Sequence, residues 1–345
     1  MTANTDGAGL ASHEVLVITD LAPASTNAVW RAALIAREQG ALLRLLHVGG
    51  ERRRMGQVHE ALEDIRNQVH ARLGIELNAQ VLEGDLLPKA ISAARAAGLL
   101  VIGPRRSNPL REWISGTQAE RLIRLCRIPT LVVKRPATPG RNAALATAEP
   151  GRYGRVLVSV DLRPEAVDLI AAAMSFSRDP QTQIFHALGA GSDDRAAATE
   201  SPGGRLGDTA MERAHSTLKE LIRSSGAQEL GAVSAIAFGN AADCVLARER
   251  AMGAELVVIG KRRRGLLADF ILGGVTRQVL AGSQADVLVM PSTENPPAAV
   301  ALPVAIEDDR DRAAPADTAR GQSVTAPWPS NHPAPGPGTP ARPSN

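Results

Sequence analysis

VLVITDLAPASTNAVWRAALIA, from Val15 to Ala36, returns in outline as VLVSVDLRPEAVDLIAAAMSFS, from Val156 to Ser177. Later landmarks recur in the same order. Gly84-Asp85 answers to Gly239-Asn240, LLVIGPRR ending at Arg106 answers to LVVIGKRR ending at Arg263, and Gly116 answers to Gly273. A repeat of roughly 140 to 160 residues is far longer than a solenoid unit of about 20 to 50, so the chain is a duplicated domain. Any function must be asked of two copies.

Each copy alternates short apolar, β-branched runs with longer helical patterns. In the first, strands are predicted at Val15–Thr19, up to Val48, near Ile75–Leu82, at Leu99–Gly103 and at Thr130–Lys134. Helices are predicted after the first strand, over Gln57–Leu73, from near Pro88 to Ala97, and over Gln118–Cys126. The second copy repeats this order, with VLVSV, TQIFHAL, a strand near Val233–Phe238, ELVVIG and DVLVM as its strands. Strands spaced by helices of this length imply parallel βαβ units, hence an α/β fold with a doubly wound sheet. The expected organisation is a disordered N-terminus over residues 1–12, domain 1 over 13–136, a linker over 137–152, domain 2 over 153–291 and a disordered Pro/Ala-rich tail over 292–345. The tail holds about half of the 23 prolines and cannot build a packed core. The insertion Gly191–Asp208 reads as a surface loop.

Composition narrows the function. No apolar run approaches the roughly 18 residues that span a bilayer, and the first residues lack signal-peptide character, so a cytoplasmic protein without membrane contact is expected. A net charge of +3 with only 2% aromatics argues against a single-strand nucleic-acid module, and no specific nucleic acid is expected. Cys126 and Cys244 lack metal or redox spacing and read as buried small apolar residues. KRRRG at Lys261–Gly265 reads as a solvated or phosphate-facing turn. His47 and His186 read as structural residues at strand ends, and no metal site is expected. No nucleophile elbow, Walker lysine motif or HExxH is present, so nothing nominates a catalytic residue.

Open α/β sheets bind ligands outside the carboxyl ends of their strands. There the first strand ends in Thr19-Asp20 and, in the second copy, Val160-Asp161. Such a carboxylate can accept a hydrogen bond from a ribose or base, coordinate Mg2+, or cap the next helix. The fourth strand ends in Gly103 and Gly260, each followed by a tight loop and, at a fixed interval, by Gly116-Thr117 or Gly273-Gly274 opening the last helix. Glycines let backbone N–H groups approach phosphate closely, and the helix dipole favours an anion there. The alternative is that these glycines only permit tight turns.

Both copies resemble universal stress protein domains, whose pattern runs from a strand-one Asp through HV at the end of strand two to G-x2-G-x9-G-[ST] after strand four. The chain has ITD, LLHV, EGD and GPRRSNPLREWISGT in copy one, and SVD, IFHAL, FGN and GKRRRGLLADFILGG in copy two. The resemblance implies two tandem Rossmann-like domains, each with a five-stranded parallel sheet and flanking helices. In nucleotide-binding members it implies ATP with Mg2+ across the strand ends and no other cofactor. Carried over, Asp20 and Val48 border adenosine, Gly103 the ribose, and Gly116 with Thr117 the phosphates; Asp161, Ala187, Gly260, Gly273 and Gly274 take those places in copy two. Both copies break the pattern at the second glycine, which is Arg106 and Arg263, and copy two ends in Gly274 where Ser or Thr is usual. An arginine there either obstructs the loop or pairs with phosphate.

Three functional readings follow. They are a non-enzymatic stress-response protein that binds adenine nucleotide, with a degenerate loop in domain 2; an adaptor that binds none and acts through unidentified protein partners; and a slow ATP hydrolase lacking an evident base. Family members often pair through their last strands, so Thr130–Lys134 and Asp286–Met290 are expected to form an intramolecular seam, with homodimerisation of the whole chain as a further option. Deleting the second copy would then expose an apolar edge at Leu131–Val133.

Overall fold

The chain's computed structural model describes residues 13–49, 55–103, 118–137, 151–178, 182–189, 206–263 and 270–291. The first repeat runs β1 (Glu14–Thr19), α1 (Pro23–Gln39), β2 (Leu42–Val48), α2 (Met55–Leu73), β3 (Leu77–Leu82), α3 (Leu86–Ala94), β4 (Leu99–Ile102), α4 (Gln118–Leu125) and β5 (Thr130–Val132). The second runs β6 (Val156–Ser159), α5 (Ala166–Met174), β7 (Thr182–Leu188), α6 (Leu206–Ser224), β8 (Val233–Phe238), α7 (Ala241–Met252), β9 (Leu256–Arg263), β10 (Phe270–Ile271), α8 (Gly274–Gly282) and β11 (Asp286–Pro291).

The strands of each repeat pair in parallel, in the order β3-β2-β1-β4-β5 and β11-β9-β6-β7-β8. Successive strand residues point to opposite faces, so Val15 and Val17 join one apolar layer and Leu16 the other. α1, α2, α5 and α6 cover the first layer; α3, α4, α7 and α8 cover the second. Local signals set the helix boundaries. Gly84 (φ 110) and Gly239 (φ 139) hold the bend before α3 and α7 in a region that side chains avoid, which is why glycine stands there in both copies. Asn240 caps α7 by accepting from the Ala242 and Asp243 amides, whereas Asp85 in the same place before α3 makes no side-chain cap bond.

The two repeats join at β5 and β11, which pair antiparallel with Leu131 opposite Leu288, giving one 11-stranded sheet. Leu131, Val132 and Val133 are buried there. The chain leaves and re-enters this seam against α1. Asn27 donates to Arg135 O and accepts from Ala137 N, both at 2.5 Å, and a Cβ on Gly151 would collide with Leu34 O. Ala137 and Gly151, placed in the linker by sequence, are thus packed on the first repeat.

The second copy differs from expectation at its fourth strand. β9 does not end at Gly260 but continues to Arg263, where it pairs antiparallel with β10, and β11 follows it as far as Lys261. Lys261 is therefore not in a solvated turn. It is 1% exposed, and its ammonium donates to Ile123 O (2.5 Å) and Cys126 O, closing the carboxyl end of α4 in the other repeat. Lys134 does the reciprocal service for α8, donating to Leu280 O (2.6 Å) and Ser283 O (2.7 Å). Burial lowers both lysines to a pKa of about 8. Cys126 is buried as expected; Cys244 is only half-buried.

Candidate functional site

The turn after β1 is built from short polar side chains. Thr19 Oγ1 accepts from Leu21 N (3.0 Å) and Asp20 Oδ1 from Ala22 N (3.0 Å), while Ser25 Oγ lies 2.9 Å from Thr19 Oγ1 and donates to Ala22 O. These bonds hold Leu21 at φ 62, a conformation rare for a residue with a branched side chain. Pro23 then starts α1 with its φ already fixed. Asp20 is not the N-cap residue of α1. It braces the turn one step earlier, and its second carboxylate oxygen makes no hydrogen bond among the described residues.

Beside this turn a cleft encloses about 580 Å3 of empty space, part of it open to solvent. It lies at the carboxyl ends of β1, β2 and β4. Asp20, Val48 and Gly103 line it together, so three of the six residues singled out in copy one for their family pattern meet in one place. Ile18, Leu86, Leu87, Ile102 and Leu122 form apolar walls, and Gln118 and Ala119, the first residues of α4, complete the rim. Arg106, Gly116 and Thr117 lie outside the described residues. The combination of apolar walls, one carboxylate and a helix N-terminus suits a small molecule that is flat at one end and anionic at the other.

The equivalent positions in copy two are arranged otherwise. Asp161 faces Arg163, with 3.7 Å between Oδ2 and Nε. Gly260 lies within a strand, and a Cβ placed on it would stand 3.0 Å from Leu169 Cδ1. Thr276 donates to the Gly260 carbonyl at 3.2 Å. Aligning the quoted stretches puts Ala28 opposite Leu169 and Ala119 opposite Thr276. Small residues in copy one thus correspond to larger ones that pack over Gly260 in copy two. That signal was present in the sequence as an Ala-for-Leu and Ala-for-Thr difference, but only the contacts give it meaning. Ala187 is half-buried at the end of β7, and Gly273 and Gly274 are exposed where α8 begins. The backbone of Arg263 is held in β9; its side chain lies outside the described residues.

His47 and His186 occupy matching places. Each donates Nδ1–H to a strand-end carbonyl, Thr19 O at 3.0 Å and Val160 O at 2.9 Å, because a carbonyl can only accept. They tie strand two to strand one in each repeat. Trp30 is buried beneath the Arg72 guanidinium, 5.2 Å from the ring centroid, and Trp113 lies outside the described residues. Among the described residues no cluster of His, Cys, Asp and Glu could hold a metal ion, and no helix is long and apolar enough to cross a membrane.

The model of the universal stress protein family matches residues 12–134 and again 152–291. The chain belongs to the universal stress protein family. It carries two copies of the family's domain in tandem, and its α/β fold with a parallel sheet in each copy is the family's Rossmann-like fold. The chain is similar to the crystal structure of a universal stress protein from Archaeoglobus fulgidus DSM 4304, with a TM-score of 0.59 and 18% identity over 82% of this chain and 99% of that one. A functionally unknown protein from Pseudomonas aeruginosa PAO1 matches with a TM-score of 0.57 and 19% identity over 82% of this chain and 94% of that one. No curated protein matches the sequence. At such identities the universal stress protein fold is shared, and the ligand is a separate question.

Proposed function

We propose that this universal stress protein is a non-enzymatic, cytoplasmic stress-response protein whose first domain, residues 13–136, holds an adenine nucleotide, ATP with Mg2+, while its second, residues 153–291, has lost that site. The observation that carries the reading is the cleft at the ends of β1, β2 and β4, where Asp20, Val48 and Gly103 converge between apolar walls. Its leucine and isoleucine side chains suit an adenine face, and the free oxygen of Asp20 suits a ribose or base donor or the metal. The start of α4, preceded by Gly116 and Thr117, suits the phosphates. In the second domain Leu169 and Thr276 stand over Gly260, which supports a purely structural role there.

Calorimetric titration of the full chain with Mg-ATP, with AMP and GTP as comparisons, tests this. The expected result is saturable binding at one site per chain, preferring ATP, and weakened at least tenfold by Asp20→Ala, about 1.4 kcal/mol. Absence of binding at millimolar ligand, verified by equilibrium dialysis, would remove nucleotide from the account and leave the adaptor reading.

A further inference from the structure

Asp286 opens β11 and is wholly buried at the seam between the repeats. Its Oδ1 accepts the Lys134 and Arg135 amides, both at 2.8 Å, and its Oδ2 accepts the Tyr153 hydroxyl at 2.7 Å. The Arg31 guanidinium of α1, 3% exposed, pairs with Oδ2 at 3.3 Å and lies over the Tyr153 ring, 4.9 Å from its centroid. Thus one carboxylate of the second repeat collects the exit of β5 and the first helix of the other repeat.

We infer that this constellation makes the seam heterotypic: Asp286 admits β5 of the first repeat and bars the pairing of two like repeats from different chains. The alignment of Gly103–Lys134 with Gly260–Pro291 runs without a gap and supplies the reason. It places Pro291 opposite Lys134 and Pro129 opposite Asp286, while Ala172 corresponds to Arg31. Two second repeats joined through β11 would bury each Asp286 against Pro291, which has no N–H, and against Ala172 in place of a guanidinium. Two first repeats joined through β5 would put Pro129 where the acceptor of the Lys134 and Arg135 amides belongs. One like pair leaves a buried carboxylate without its guanidinium and the other leaves two buried amides without their acceptor, and both are unfavourable. The carbonyl contacts of the two seam lysines do not discriminate in this way: Lys134 closes a helix end at Leu280 and Ser283, and a like pair would offer it the matching carbonyls of Ile123 and Cys126. Its ammonium is also favoured by the charge of Asp286, which a pair of first repeats would replace with Pro129. Partner choice therefore sits at Asp286, although Lys134 and Lys261 also cross the seam.

The test uses the full chain with a protease site placed between residues 138 and 150, cut after folding. Nicked protein in heavy- and light-isotope forms is mixed and followed by native mass spectrometry. The wild type is expected to give only pairs of one first and one second repeat. Asp286→Asn, which keeps the volume and removes the charge, should weaken that pair on the order of 100-fold and let pairs of two second repeats form. Should that variant fail to fold, Arg31→Leu/Asp286→Leu, which removes both charges together, should fold and accept like pairs. Like pairs as abundant as unlike ones in the wild type would overturn the inference. So would an unchanged partition in Asp286→Asn, or continued exclusion of like pairs in the double-leucine variant.

Discussion

The clefts of the two repeats were built from one plan and have diverged at the residues that line them. In the first, Ala119 lines the cleft together with Gly103, and Asp20 keeps an oxygen free of protein partners among the described residues. In the second, Leu169 and Thr276 occupy the room beside Gly260, Asp161 is engaged by Arg163, and the strand runs on into a hairpin. The lesson is that retention of glycines and a carboxylate at matching positions does not preserve the side chains that stand over them.

The comparison breaks most directly if the first cleft is filled. Ala119→Leu, at a residue that lines it, should lower Mg-ATP affinity by about 100-fold or more, near 2.7 kcal/mol, with a smaller change in stability. Titration and urea unfolding of the same preparation separate the two effects, and unchanged affinity would mean that nucleotide does not enter there.

The seam gives the next effect, through pH. Lys134 and Lys261 have folded pKa values of about 8 against an ordinary lysine value of 10.5, because burial disfavours the charged form. Between these values the unfolded chain binds more protons than the folded one, so stability rises with pH across this window and the penalty is fully present below it. Relative to Lys134→Met/Lys261→Met, the wild type should therefore gain on the order of a few kcal/mol from pH 7 to pH 10 in paired denaturation curves. A difference independent of pH would place both ammonium groups in contact with water.

Opening the second cleft is the converse test. Leu169→Ala should cost about 2 kcal/mol. Combined with Thr276→Ala, it should raise the nucleotide stoichiometry of the chain from one to two only if packing over Gly260 is the sole defect. A stoichiometry still at one would assign the loss to Arg263, Gly274 and the β9–β10 hairpin as well. The smallest effect separates the two helix starts. Asn240→Ala should destabilise by about 1 kcal/mol and Asp85→Ala by a few tenths, since only Asn240 makes cap bonds. Equal losses in chemical denaturation would show that the two caps do the same work.

The duplication, the α/β class, the family and most element boundaries were legible in the sequence, because they follow from short-range signals. Periodicity marks what each strand or helix buries, and Gly84, Gly239 and Pro23 act through their own backbone. β2, β7 and β8 have the limits that their apolar runs predict. Asp20, Val48 and Gly103 could be named as partners from motif order alone. Lys261 could not be read: within KRRRG it looks like any solvated cation, and its burial depends on the end of α4, which lies more than a hundred residues earlier and in the other repeat. The same holds for Asp286, an unremarkable acidic residue until Arg31, Lys134 and Tyr153 surround it, and for Leu169, whose effect on a cleft exists only where its methyl group meets Gly260. Local chain preferences are written residue by residue, so the sequence by itself determined the plan of both domains. Desolvation and steric contact are properties of groups brought together from distant parts of the chain, and only the tertiary structure decided which charge is buried and which side chain stands over each strand-end glycine.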